Sequence, residues 1–336
     1  MEMFPQTMRP PQVSSTRRWL GATGAVVLGL VLLVAAWTKA IDPIGFAESI
    51  TAEGLDGLLS ARAIVFIALG LEFSLGLALV LNLRRWWILA PAALLVAFFL
   101  VLTGRAYLND LRGIEVAATS CGCFGNLVDR TPGEAFWQDF LLMVPALLLA
   151  FLGGRASCGV AWRVGVVAVG TAAGLWLAWR APELPLDDWA TRLSPGTEIA
   201  EFCAGRADEP DFVCLDALIP ELDEGSHWVV LSHLDEAELI SALDRMHEHS
   251  LANLEPTLWV VSNVEPEDLN VFSWQYMLAT QVRLAPPALM RPLYRTLPRS
   301  FRVEGGRVVE TIRGVPPLGT TAGLMFEDTG REETGF

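Results

Sequence analysis

Cys121 and Cys123 stand one residue apart in the stretch ATSCGCFGNLVD, residues 118–129 of a 336-residue chain that carries five cysteines in all. Thiols this close support three uses: a dithiol–disulfide couple, a share in a metal site, or two small packed residues. A C-x-C disulfide closes a small ring, and strained disulfides are the labile, more oxidising kind. Gly122 supplies the backbone freedom that such a ring needs, and Gly125 permits a sharp turn after Phe124. Two thiolates leave a tetrahedral metal site half built, and no further Cys or His is close in sequence, so no metal is expected. The redox use makes Cys121 and Cys123 the candidate catalytic residues.

A second set of residues is polar where its surroundings are not. Glu72 lies in FIALGLEFSLGLALVL, near the middle of an apolar run. An ionisable group at that depth is costly and should face other helices rather than lipid. The plainer reading is a neutral acid hydrogen-bonded across helices. Lys39 is the only lysine in the chain. It reads either as a site residue or as an interfacial cation whose stem snorkels to the membrane edge. Asp42-Pro43 follows it and should end a helix, because the residue before proline is pushed out of the α region. Lys39, Asp42 and Glu72 are the candidate binding residues of the membrane part.

Positioning these groups falls to five apolar runs, each near the length of about 20 helical residues that a bilayer core requires. They cover roughly residues 19–37, 58–83, 86–103, 136–152 and 160–179, with tryptophans at their ends, where amphipathic rings prefer the interface. The first run is longer than a usual signal-peptide core and no small-x-small cleavage site follows it, so it reads as a retained anchor. Arg17, Arg18, Arg84, Arg85, Arg155 and Arg163 all fall on one side if the N-terminus is inside. The expected protein is then a multi-pass protein of a bacterial inner membrane. The loop 104–135 with its cysteines and the C-terminal domain face the outer, oxidising compartment, where disulfides persist.

The charge divides at the same boundary. Residues 1–180 carry 13 Lys+Arg and 11 Asp+Glu, whereas residues 181–336 carry 11 and 27. So acidic a domain is no nucleic-acid binder, since phosphate contacts need clustered Lys and Arg. The chain divides into an N-terminal tail (1–18), a membrane bundle (19–180), a linker (181–195), a soluble domain (196–318) and a tail (319–336).

Lys39, Asp42-Pro43 with Phe46, the Glu72-x-x-x-Gly76 span, and LRG (111–113) followed by CGCFG (121–125) together resemble the MauE family of membrane proteins, which is related to DoxX-type four-helix redox-associated proteins. The likeness covers about residues 17–153, and CGCFG in this context is its specific part. It implies a small helical bundle that assists maturation of a disulfide-rich periplasmic client such as a methylamine-dehydrogenase subunit.

In the soluble half, β-rich runs at 212–215, 228–231, 258–261 and 282–284 alternate with helical patterns at 236–249, 266–278 and 287–295. The end, LPRSFRVEGGRVVETIRG, reads as a proline followed by a Gly-Gly hairpin. This order implies a mixed α/β sheet with covering helices. It resembles a thioredoxin-like domain, with Pro298 in the place of that fold's cis-proline. Where that family carries C-x-x-C, this chain has VVLSHLDEAEL, so thioredoxin chemistry does not carry over. Cys203 and Cys214 are spaced for a disulfide that closes a short loop. His247 and His249 lie on successive faces of one helix, poor geometry for a metal, and read as a solvated surface.

Three functions follow. The first is a thiol–disulfide oxidoreductase in which Cys121 and Cys123 exchange with a client or with Cys203 and Cys214, with a quinone as the candidate electron acceptor by analogy alone. The second is a non-enzymatic assembly factor that docks a client through the degenerate domain. The third is a small-solute transporter centred on Glu72. No P-loop, dinucleotide fingerprint or zinc spacing occurs.

Overall fold

A computed structural model describes residues 15–55, 57, 59–112, 131–153, 160–205 and 212–318. The chain forms two compact units, Met1–Glu183 and Leu184–Phe336.

The first unit is helical: α1 (Ser15–Ile41), α2 (Pro43–Ala52), α3 (Ala61–Val80), α4 (Trp86–Leu111), α5 (Pro132–Leu152) and α6 (Val160–Arg180). All but the short α2 are long and apolar enough to cross a membrane. Their outer faces are apolar as well, with Trp19, Leu94, Val101, Leu141 and Val169 exposed, which is what a bilayer, not water, would cover. The helices run longer than the hydropathy alone suggests. Residues 104–111, read above as loop, continue α4.

Small residues set the helix crossings, as is usual where lipid removes the hydrophobic drive between helices. α1 packs against both α3 and α5. A methyl on Gly29 would lie 2.7 Å from the Gly76 carbonyl oxygen, and one on Gly24 would lie 2.5 Å from that of Ala146. The α1–α3 and α1–α5 approaches therefore depend on the absence of side chains. At the far end of α3, Asn82 adopts a positive φ of 58°. The amides of Asn82 and Leu83 return to the Leu79 and Ala78 carbonyls, a Schellman closure that turns the chain tightly into α4.

The second unit is a five-stranded mixed sheet covered by helices. Its elements follow α7 (Asp187–Ala190), β1 (Cys203–Ala204), β2 (Val213–Cys214) and α8 (Leu215–Leu218). They are β3 (Ser226–Leu231), α9 (Ala237–Leu251), β4 (Thr257–Ser262), α10 (Pro266–Tyr276), β5 (Gln281–Leu284), α11 (Pro287–Met290), β6 (Arg299–Glu304) and β7 (Arg307–Arg313). The order is β5-β4-β3-β6-β7, with β3, β4 and β5 parallel, β6 antiparallel to β3, and β7 antiparallel to β6. Alternate residues of β3 and β4 face two cores, Val229, Leu231, Trp259 and Val261 on one side and Trp228, Val230, Leu258 and Val260 on the other. Gly305 and Gly306 take the positive φ that the hairpin turn demands. The Leu297–Pro298 and Glu255–Pro256 peptides are cis.

Two expectations need correction here. The run at 212–215 is not a strand of the main sheet. Val213 and Cys214 pair only with Cys203 and Ala204, and Leu215 already begins a helical turn. His249 is not on a solvated surface: it is buried, and its Nε2 donates to the Pro256 carbonyl at 2.8 Å, while His247 Nδ1 accepts from the Ala279 amide at 3.3 Å. The end of α9 is docked on the loops before β4 and β5, so imidazoles replace the solvent those backbone groups would otherwise need.

Candidate functional site

The sequence points to α1, α2 and α3, and their residues meet. The Asp42 carboxylate caps α2 by accepting from the Gly45 amide at 3.0 Å, with Pro43 at the first helical position, where its missing N–H costs nothing. This cap turns the chain at the end of α1 and folds α2 back, so that Phe46 lies over Lys39.

Lys39, two residues from the end of α1, does not snorkel outward. Helix side chains lean toward the N-terminus, and here the stem runs back into the bundle, leaving the residue 4% exposed. Its Nζ donates to Glu72 Oε1 at 2.5 Å, and Glu72 is fully buried on α3. The ammonium also stands 5.2 Å from the ring centroid of Phe46 and 4.8 Å from that of Phe99 on α4. A carboxylate and two aromatic faces thus enclose one cation, a desolvated arrangement in which both ion pairing and cation–π attraction are strong. The second carboxylate oxygen, Oε2, has no hydrogen-bond partner among the described residues. Leu69, one turn before Glu72, and the adjacent Phe73 belong with Ala36, Ala40 and Ile50 to a buried apolar cluster of this region, which keeps water out.

The neutral-acid reading of Glu72 anticipated a bond across helices, and the interfacial reading of Lys39 fails because Glu72 draws the ammonium inward. Chemically, the cluster is a fixed internal charge pair, able to anchor three helices to one another or to exchange its partner for a polar ligand. Cys121 and Cys123 lie outside the described residues. Their loop joins the end of α4 to the start of α5, the end of the bundle at which α1 also terminates.

In the second unit Cys203 and Cys214 are joined by a disulfide across the β1–β2 pair. The junction after β3 holds Ser232 and His233, the latter set edge-on to Tyr294 at 6.5 Å. Among the described residues no group of three or more His, Cys, Asp or Glu is placed to hold a metal ion.

Among the described residues, two further buried ionisable residues of the bundle were not among the candidate site residues: Asp139 on α5, 2% exposed, and Arg84 in the α3–α4 turn, 4% exposed. The signal was present for Asp139, an acid inside an apolar run. Arg84 reads from sequence as one of two ordinary loop arginines, and only the Schellman turn shows which of the two is drawn under the helices.

Residues 17–152 match the family model described as methylamine utilisation protein MauE. No curated protein matches the chain.

Proposed function

Taking residues 17–152 as a MauE-family membrane bundle, we propose that this multi-pass protein supports thiol–disulfide maturation of a client outside the cytoplasm, such as a methylamine-dehydrogenase-type subunit. In this reading the N-terminus is inside, and the Cys121–Cys123 loop and the acidic C-terminal unit face the outer compartment. Oxidising a client dithiol through Cys121 and Cys123 transfers two electrons and releases two protons. The re-oxidant is a membrane quinone, which would take up the two electrons and two protons and become the quinol. The observation that carries the reading is the convergence of Lys39, Phe46 and Glu72, positions singled out by the family resemblance, in one dry cluster of the segment that also carries CGCFG. A transporter centred on Glu72 is the weaker fit, because the acid is already paired with an internal lysine whose ammonium two rings enclose.

One observation favours a second reading, a client-docking factor. The parallel β3–β4 pair with the antiparallel β6–β7 hairpin supports a thioredoxin-like unit, yet the β3–α9 junction has no thiol and the unit's two cysteines are bonded to each other. Such a unit offers no free thiol for attack and is suited to docking a client.

Differential thiol alkylation in intact cells, with the respiratory chain blocked or released, decides between them. Redox use requires Cys121 and Cys123 to shift between bonded and free as electron flow changes, with Cys203 and Cys214 bonded throughout. If the loop cysteines keep one state under both conditions, the redox proposal falls and docking takes its place.

A further inference from the structure

At the end of the bundle where α1 begins, Arg84 is buried and its Nε and Nη1 find no acceptor among the described residues. Two glycines make its place: a methyl on Gly21 of α1 or on Gly153 at the end of α5 would collide with the guanidinium. A buried cation without a counter-charge is expensive, and the neighbouring described segments supply none. Residues 15–24, 80–90, 148–153 and 160–166 contain no Asp or Glu, while Arg17, Arg18, Arg85 and Arg163 add further positive charge. Burial first, and then the neighbouring Arg18 charge, hold the Arg84 guanidinium below its ordinary value, and an anion beside it would offset both effects.

The height of the site identifies the anion. Exposed Trp19, Trp86, Trp87 and Trp162 ring this same end, from the starts of α1, α4 and α6. Tryptophan belts mark the headgroup level of a bilayer, and basic pockets between membrane helices at that level recognise acidic headgroups. The seat of Arg84 against Gly21 and Gly153 is part of the folded bundle, unlike a diffuse basic surface.

We propose that Arg84, cradled by Gly21 and Gly153, binds the phosphate of an anionic phospholipid in the leaflet where α1 begins. The guanidinium fork matches two phosphate oxygens, and Arg18 adds long-range attraction. The contact would fasten the α1, α5 and α3–α4 termini to one lipid. It is independent of the Lys39–Glu72 cluster and of any redox role.

The test uses the full chain in a neutral detergent, titrated with phosphatidylglycerol, with phosphatidylcholine or with inorganic phosphate, and read by native mass spectrometry and thermal unfolding. Phosphatidylglycerol should form a retained one-to-one adduct and raise the unfolding midpoint, whereas the other two should do neither. Arg84→Met should lower the affinity about ten-fold or more, as loss of a charged hydrogen-bonding partner predicts. Arg84→Lys, which keeps the charge and loses the fork, should fall between and serves if the methionine variant does not fold. Arg85→Gln, which removes an exposed charge, should stay within about two-fold of the parent. Equal binding by Arg84→Met, an equal loss in Arg85→Gln, or equal stabilisation by phosphatidylcholine or inorganic phosphate would each overturn the assignment.

Discussion

Replacing Lys39 by methionine tests whether the ion pair organises the bundle. Lys39 and Glu72 retain 3% and 0% of their side-chain exposure, so neither charge keeps water when the other is removed. Breaking such a pair by deleting one partner costs about 3–5 kcal/mol, because the survivor stays buried without compensation. An ordinary interhelical hydrogen bond in a membrane protein contributes only about 0.6 kcal/mol, and rarely above roughly 1.7. The two descriptions therefore differ by several-fold in a measurable quantity. Lys39→Met and Glu72→Gln should each destabilise the membrane unit by about 3 kcal/mol or more, while the double variant should lie within about 1 kcal/mol of the parent or above it, since an apolar replacement of both charges removes the desolvation cost. Unfolding in mixed micelles, followed by a probe in the helical unit alone, supplies the four corners of the cycle, whose coupling term isolates the pair. Single-variant losses below about 1 kcal/mol that simply add would refute the reasoning, and the cluster would then be ordinary packing.

Other perturbations follow from the same geometry. Gly29→Ala should destabilise the helical unit by about 1–3 kcal/mol, more than Gly76→Ala, because the added methyl meets backbone at 2.7 Å at Gly29, whereas at Gly76 its nearest neighbour is the movable Leu33 side chain and backbone lies at 3.1 Å; thermal melts of both variants give the ranking. Phe99→Leu should cost roughly 0.5–2 kcal/mol by removing one face from the Lys39 ammonium, an effect that should vanish when measured in a Lys39→Met background. Reducing or mutating the Cys203–Cys214 bond, which closes a sequence separation of 11 residues, should lower the stability of the C-terminal unit by about 3 kcal/mol, as read from its denaturant midpoint with and without reductant. Asp187→Asn should destabilise that same unit by about 3 kcal/mol, since the Asp187 carboxylate meets Arg295, Arg299 and Arg313, the first two of them buried; calorimetry should show its transition falling while that of the helical unit stays in place.

Hydropathy and charge alone determined that five segments cross a membrane and that an acidic α/β unit follows. Both are properties of composition summed over many residues, and local errors at the helix ends do not disturb the sum. The short apolar β-rich runs and the Gly-Gly turn likewise marked β3, β4, β5 and the β6–β7 hairpin, because β-branched enrichment and positive φ are written in residue type. Glu72 was legible for a similar reason: an acid in an apolar run is conspicuous whatever surrounds it. Its partner was not, since Lys39 lies 33 positions away and a lysine at a helix end looks the same whether its stem points to water or back along the helix. The direction was decided by the Asp42 cap folding α2 over the site, by Phe99 arriving from α4, and by the glycine crossings that bring α1 and α3 close enough for one side chain to reach the other. Arg84 and Arg85 are neighbours with the same side chain, yet one is buried and the other exposed, because the Schellman closure at Asn82 rotates only the first beneath the helices. His249 followed the same rule, its burial set by which loops the end of α9 meets. Sequence specified which groups are unusual for their surroundings, whereas tertiary contact specified which of them face one another, since that depends on distances between segments that no local pattern encodes.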